Sequence, residues 1–233
     1  MRFNLFKKYR GLKYGISEKR DGSMKLSAGS PKVSANRRRF FIKRGIPIGL
    51  LVTPLQTHSS RVFNYGADRT EGVIISADGL ISKLRNVVLT VSVADCFPVY
   101  FFDPKTATVG LAHCGWRGIE KKLPAKVASR ITANQSDLLV GIGPGIQSCH
   151  FEVQSDLLEK FSDYPEAILK RGHKSFIDLS KIIRSQLLAL GLKPENIENF
   201  GECTYCQKDK YFSFRRDKPV VTRTVVAYIG LGL

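Results

Sequence analysis

Apolar positions change their period several times along this chain. Between residues 87 and 93, Val87, Leu89, Val91 and Val93 alternate with Val88, Thr90 and Ser92. That two-residue repeat predicts a largely buried strand running into Ala94-Asp95-Cys96. Residues 99–102 and 107–113 read as the next two strands, joined by the turn sequence Asp103-Pro104-Lys105-Thr106. Residues 138–142 form another, ended by Gly143-Pro144-Gly145, and the β-branched stretch 224–229 a last one. Residues 1–45 read as loop-rich and polar, with 2–6 as a short strand candidate.

Elsewhere the period lengthens. Ile119, Leu123, Val127 and Ile131 recur every four residues and predict a helix after Trp116-Arg117-Gly118, with Pro124 delaying its start or kinking it. Residues 178–190 give the clearest helix. Asp178 is the expected N-cap, Leu179, Ile182, Ile183, Leu187 and Leu190 form one face, and Gly191 with Pro194 supplies the stop. Strands and helices mix without regular βαβ alternation. The expected fold is therefore α/β (α+β), a single-domain sandwich of mixed sheets with helices packed on them. No repeat, low-complexity tract or Gly-Ser-Pro linker divides the chain, so residues 1–233 are expected to form one domain.

Composition narrows the picture. At 43% hydrophobic residues the chain can close a core, which excludes disorder as its main state. The longest apolar stretch, 87–102, contains Asp95 and is too short for a membrane span. The start, MRFNLFKK, has no apolar core of a secretory signal, and five cysteines are an odd number for a disulfide framework. The expectation is a cytoplasmic protein with free thiols or metal ligands.

Charge is uneven. Of the net +17, +12 lies in residues 1–44, where Glu18 and Asp21 are the sole acids. Such a segment raises encounter rates with anions, or is simply a solvated, soluble face. No helix-turn-helix, RNP or zinc-finger pattern accompanies it, so nucleic acid is not the expected partner.

The candidate chemistry lies at strand ends. His58 sits in the polar loop Thr53-Pro54-Leu55-Gln56-Thr57-His58-Ser59, Cys96 ends one strand, and His113 ends another at Ala112-His113-Cys114-Gly115-Trp116-Arg117-Gly118. Two His and a Cys suit zinc and leave a fourth position open. Their spacing matches no local metal motif, so a shared site and incidental histidines both remain open. Cys203-Thr204-Tyr205-Cys206 lacks a second pair at zinc-ribbon spacing and reads by default as small buried cysteines. Arg215 and Arg216 could clamp an anion, or belong to a surface turn with an Arg–Asp pair. Gly141-Ile142-Gly143-Pro144-Gly145 lacks the features of a phosphate loop. No nucleophile elbow, His-Glu-x-x-His helix or zinc-deaminase signature is present. Four histidines are too few for a multicopper oxidase.

Taken together, several segments resemble one family. They are Leu55-Gln56-Thr57-His58, Ala77-Asp78-Gly79-Leu80-Ile81-Ser82, Ala94-Asp95-Cys96-Phe97-Pro98, Ala112-His113-Cys114-Gly115-Trp116-Arg117-Gly118, Gly143-Pro144-Gly145-Ile146 with Phe151-Glu152-Val153, and Cys203-Thr204 with Phe212-Ser213-Phe214-Arg215-Arg216-Asp217. With the upstream Asn36-Arg37, they resemble the zinc-dependent purine nucleoside phosphorylases of the YfiH/YlmD type, formerly called the polyphenol oxidase or laccase-domain family. The resemblance implies a single mixed α/β sandwich, and a Zn2+ held by His58, Cys96 and His113. It implies phosphate-dependent cleavage of adenosine, inosine, guanosine or methylthioadenosine to the base and ribose-1-phosphate, with adenosine deamination at the same site. Asp95 and Gln56 are then the candidate catalytic residues. Asn36, Arg37, Arg117, Arg215 and Arg216 are the candidates for substrate and phosphate.

The chain also departs from the family. Cys114 stands where a small Ala is usual, putting an extra thiol in question near the metal, and Gly145 stands where Cys is frequent. Two other readings follow: a metal-dependent hydrolase editing a peptidoglycan precursor, and a basic nucleic-acid or ribosome-binding module. Whether the protein is a monomer or a homodimer is not fixed by the sequence.

Overall fold

The structure, a computed structural model, describes residues 1–25, 30–66, 75–132 and 134–232. Strand β1 (Leu12–Ile16) is followed by helix α1 (Pro31–Ile42), then by β2 (Leu51–Val52), β3 (Val62–Tyr65), β4 (Gly79–Ser82) and β5 (Val87–Val93). The hairpin β6 (Phe97–Asp103) and β7 (Thr108–Cys114) leads to helices α2 (Trp116–Glu120) and α3 (Leu123–Ile131) and strand β8 (Leu139–Ile142). Next come β9 (Glu152–Val153), α4 (Ser155–Glu159), β10 (Ile168–Arg171) and β11 (Lys174–Ile177). The chain continues through α5 (Leu179–Leu188), β12 (Ile197–Asn199), α6 (Phe214–Asp217) and β13 (Val225–Leu231).

Two mixed sheets form the centre. One has the order β1-β13-β5-β2 and the other β12-β8-β6-β7-β4-β3, while β10-β11-β9 makes a small third sheet. Side-chain alternation stacks them. On β6, Tyr100 and Phe102 pack with Leu89, Val91 and Val93 of β5 between the two large sheets. Val99 and Phe101 face the other way, onto Ile119 of α2, Val127 and Ile131 of α3, and Ile182 and Ile183 of α5. Outside β5 and β13, Val88, Val226 and Tyr228 meet Phe40 and Phe41 of α1. The result is a helix–sheet–sheet–helix sandwich, in which buried strands read as continuous apolar runs.

Apart from the candidate at 2–6, the expected strands are present within one or two residues, and Asp178 caps α5 by accepting from the Lys181 amide at 3.0 Å. Three expectations change. The four-residue stripe spans two helices, because Lys122 takes a left-handed turn at φ 57° and Pro124 sits in the first turn of α3. Residues 2–6 form turns, and the anchors there are the buried rings of Phe3 and Phe6. The segment taken as loop carries β1 and α1, although 26–29 within it lie outside the described residues. Helix α1 escapes a periodicity reading because Asn36 and Arg37 occupy its buried face beside Phe40 and Phe41.

Candidate functional site

The two large sheets part at one rim, where three connections converge: the loop 53–60, the β5–β6 link and the end of β7. His113 lies two positions after Leu111 on β7 and so points to the same, inter-sheet side, but at the rim. His58 and Cys96 meet it there. One ligand atom from each of the three residues lies within 4.8 Å of the others, and the two imidazoles stand edge to face at 4.8 Å. Both supporting loops turn through left-handed conformations at non-glycine residues, His58 at φ 56° and Asp95 at φ 81°. Such backbone persists where its surroundings hold it, and often at functional sites. Gly115 makes the convergence possible. A Cβ there would stand 2.8 Å from the Cys96 sulfur.

Asp78 organises the cluster. Its fully buried carboxylate accepts from the amides of Thr57 (3.2 Å), His58 (3.1 Å) and Ser59 (2.6 Å) and from the Ser59 hydroxyl (2.8 Å). It also accepts from His113 Nδ1 at 2.8 Å. Burial alone would raise its pKa, but the bonds from His113 and Ser59 outweigh that and hold the carboxyl down at about 2. An ionised Asp78 fixes the proton on Nδ1 and turns Nε2 of His113 toward Cys96 and His58. Burial likewise opposes charge on Cys96 and His113. Their mutual attraction and the Asp78 bond prevail, so the thiol falls to about 6 and the imidazole rises to about 10.

A single soft divalent ion fits this donor set. Two imidazoles and a low-pKa thiol suit zinc, the buried carboxylate orients one imidazole from behind, and three ligands leave a fourth direction toward the cavity. Four histidines in the whole chain do not furnish a multicopper centre.

The cluster opens into a cavity of about 570 Å³. Its walls combine the apolar groups Leu55, Trp116, Phe151 and Phe214 with the cationic side chains of Lys25, Arg117 and Arg215. Arg117 stacks on Trp116 at 4.3 Å, while Arg215 lies 5.2 Å from the Phe151 ring and donates to the Glu152 carbonyl at 2.8 Å.

Other sequence candidates are placed differently. Arg216 is committed to the carbonyls of Thr204, Tyr205 and Tyr211 and to Asp217, away from the cavity. Arg37 is buried, bonded to the Met24 carbonyl and the Thr53 hydroxyl. Asn36 donates to the Ser23 carbonyl beside a separate shallow groove. Gln56 lines the cavity, but its amide is tied at both ends to the Ser92 backbone, at 2.8 and 2.9 Å. The Asp95 carboxylate accepts from Thr204 Oγ1, Ser213 Oγ and the Arg215 amide at 2.6, 3.1 and 2.7 Å. It therefore joins the 203–217 segment to the cluster rather than offering a free oxygen. Cys114, one residue beyond His113, faces the opposite, helix-side core. Nor are Cys203 and Cys206 both buried, since Cys206 is exposed. Sequence reasoning assigned no role to Asp78 or Lys25. Asp78 was visible within Ala77-Asp78-Gly79, but nothing in that segment states which side chain it faces.

Comparisons with known proteins show the family and the fold. The family described as multi-copper polyphenol oxidoreductase laccase matches residues 5–231. A purine nucleoside phosphorylase of Staphylococcus aureus (strain COL) is 32% identical over 191 residues, covering 77% of this chain and 72% of that protein. The purine nucleoside phosphorylase YlmD of Geobacillus stearothermophilus is 32% identical over 212 residues, covering 84% of this chain and 77% of the relative. Among solved structures, the hypothetical protein YfiH of Bacillus licheniformis superposes with a TM-score of 0.87 at 27% identity, covering 97% of this chain and 95% of the other. YlmD of G. stearothermophilus gives 0.87 at 28%, covering 97% and 94%. Sequence match along nearly the whole length and the shared sandwich lead to one conclusion: this chain belongs to the multi-copper polyphenol oxidoreductase laccase family, with YfiH and YlmD as structural relatives.

Proposed function

We propose that the protein is a zinc-dependent purine nucleoside phosphorylase acting in a reducing, cytoplasmic setting, with residues 1–233 as one catalytic unit. The observation that carries this reading is the His58–Cys96–His113 cluster opening onto a cavity with both apolar and cationic walls. The purine phosphorylase names of the relatives support it, and β1 pairing with β13 supports the single unit.

Breaking an N-glycosidic bond builds positive charge on the ribose and negative charge on the purine. Phosphate must approach the sugar with its own charge held and partly neutralised. Arg215 is suited to that task, because its bond to the Glu152 carbonyl and its packing on Phe151 fix the guanidinium before phosphate arrives. Arg117 and Lys25 add positive potential, and Phe214, Leu55 and Trp116 offer apolar surface for a base. His58, Cys96 and His113 would hold the ion, and zinc bound there supplies a Lewis acid and the capacity to activate water. Asp78 keeps His113 in the tautomer that presents Nε2.

The test is chromatography of adenosine, inosine, guanosine and methylthioadenosine incubated with zinc-loaded protein, with and without phosphate. Free base that appears only with phosphate supports the proposal. Inosine formed from adenosine in both samples reveals deamination. Four unchanged nucleosides in both samples overturn it.

A further inference from the structure

The CxxC and a Cys-His pair 54 residues upstream meet in space, although nothing in their spacing couples them. Cys149 Sγ stands 3.7 Å from Cys206 Sγ, and His150 Nδ1 stands 3.2 Å from Cys149 Sγ and 3.3 Å from Cys206 Sγ. With Cys203, the four donor atoms all lie within 4.8 Å of one another. A tetrahedral zinc with sulfur ligands at about 2.3 Å and nitrogen at about 2.0 Å holds its ligands roughly 3.5–3.8 Å apart, close to this packing. An iron–sulfur cluster would need its cysteines farther apart.

Two further features favour coordination over coincidence. Backbone amides turn toward the Cys203 sulfur, that of Gln147 at 3.5 Å, as befits a thiolate. The His150 ring is stacked on Tyr205 at 3.9 Å with only 13° between the planes, which holds Nδ1 toward the sulfurs. The loops are also preset by their backbones. Gly145 bridges Cys203, with Thr204 N donating to the Gly145 carbonyl at 3.1 Å. A Cβ at Gly145 would stand 2.6 Å from the Phe97 ring, so this close approach requires glycine.

We propose that Cys149, His150, Cys203 and Cys206 form a second, structural zinc site. Four protein ligands leave no open position, so its role is to lock two loops together. Those loops shape the cavity. Ile146 donates to the Asp95 carbonyl at 2.8 Å, Thr204 to the Asp95 carboxylate at 2.6 Å, and Phe151 follows His150 in the cavity wall. The second ion thus braces the wall beside Cys96 without touching the reaction.

Metal analysis of the whole protein, purified with reductant and dialysed free of excess zinc, tests this without reference to catalysis. Two zinc ions per chain are expected in the wild type, and one in Cys206→Ser, whose side chain is exposed and outside the core. His150→Ala and the double variant His58→Ala/Cys96→Ser should also retain one. Cobalt loaded into that double variant should show tetrahedral visible bands and charge transfer from three thiolates. Absence of zinc from the His58→Ala/Cys96→Ser variant, two ions in Cys206→Ser, or a Cys149–Cys206 disulfide in place of the second ion would overturn the proposal. Its failure is distinguishable from failure of the phosphorylase reading, because the zinc count does not depend on any nucleoside being cleaved.

Discussion

Asp78 concentrates the site's design in one side chain. It ties the His58 loop to β7 and sets the tautomer of His113. Groups that orient metal-bound histidines typically contribute 10–100-fold to affinity, so Asp78→Asn should weaken zinc binding by about that factor. Competition with a chelator would measure it, and an unchanged affinity would show that the carboxylate only caps the loop. Two neighbouring arginines separate in the same way. Arg215→Ala should raise the KM for phosphate by about 10–100-fold, the worth of a charge-assisted hydrogen bond. Arg216→Ala should instead lower thermal stability, because it leaves the carbonyls of Thr204, Tyr205 and Tyr211 without their donor. At this scale the sequence displayed His58, Cys96, His113 and the two arginines. It could not show which way each side chain turned, since on a strand adjacent residues face opposite layers.

At the scale of elements, local chemistry was legible wherever local forces decide. The alternation of β5, the cap of α5 and the left-handed Gly191 at φ 89° beyond α5 all follow from nearby residues. Asp178→Ala should cost about 1 kcal/mol, or roughly 2–4 °C in melting temperature, by releasing the Lys181 amide. Calorimetry would check it. Helix α1 was not legible, because Arg37 satisfies its buried charge through the Met24 carbonyl and Thr53, partners outside the helix. Burial lowers its pKa to about 10. The break between α2 and α3 was half visible, with Pro124 marking it but the turn lying at Lys122.

The whole molecule joins its sheets through a core that ends where the His58–Cys96–His113 cluster begins, so zinc held there should stabilise the assembly. At free zinc 1,000-fold above Kd the gain is about 4 kcal/mol. Chelation should therefore lower the melting temperature, and readdition of zinc should restore it. The net charge of +17 acts at longer range. It should speed encounter with phosphate, so kcat/KM for phosphate should fall with rising ionic strength while kcat holds. Among the described residues no helix is long and apolar enough to cross a membrane, which agrees with the hydropathy of the chain.

The sequence by itself determined five central strands of the two large sheets (β5, β6, β7, β8 and β13), the helix after Asp178, the chemical types at the site and the family they resemble. These are properties of short windows, in which period, caps and motif composition suffice. Tertiary structure decided which candidates face the cavity. It turned Arg215 toward the cavity and Arg216 away, put Cys114 behind the sheet, and made Asp95 a clasp for the 203–217 segment. It also brought Cys149-His150 to Cys203 and Cys206 across more than fifty residues. The physical reason is that a side chain's role depends on the neighbour it meets. Those neighbours come from distant strands and loops, brought together only when the two sheets bury their shared core.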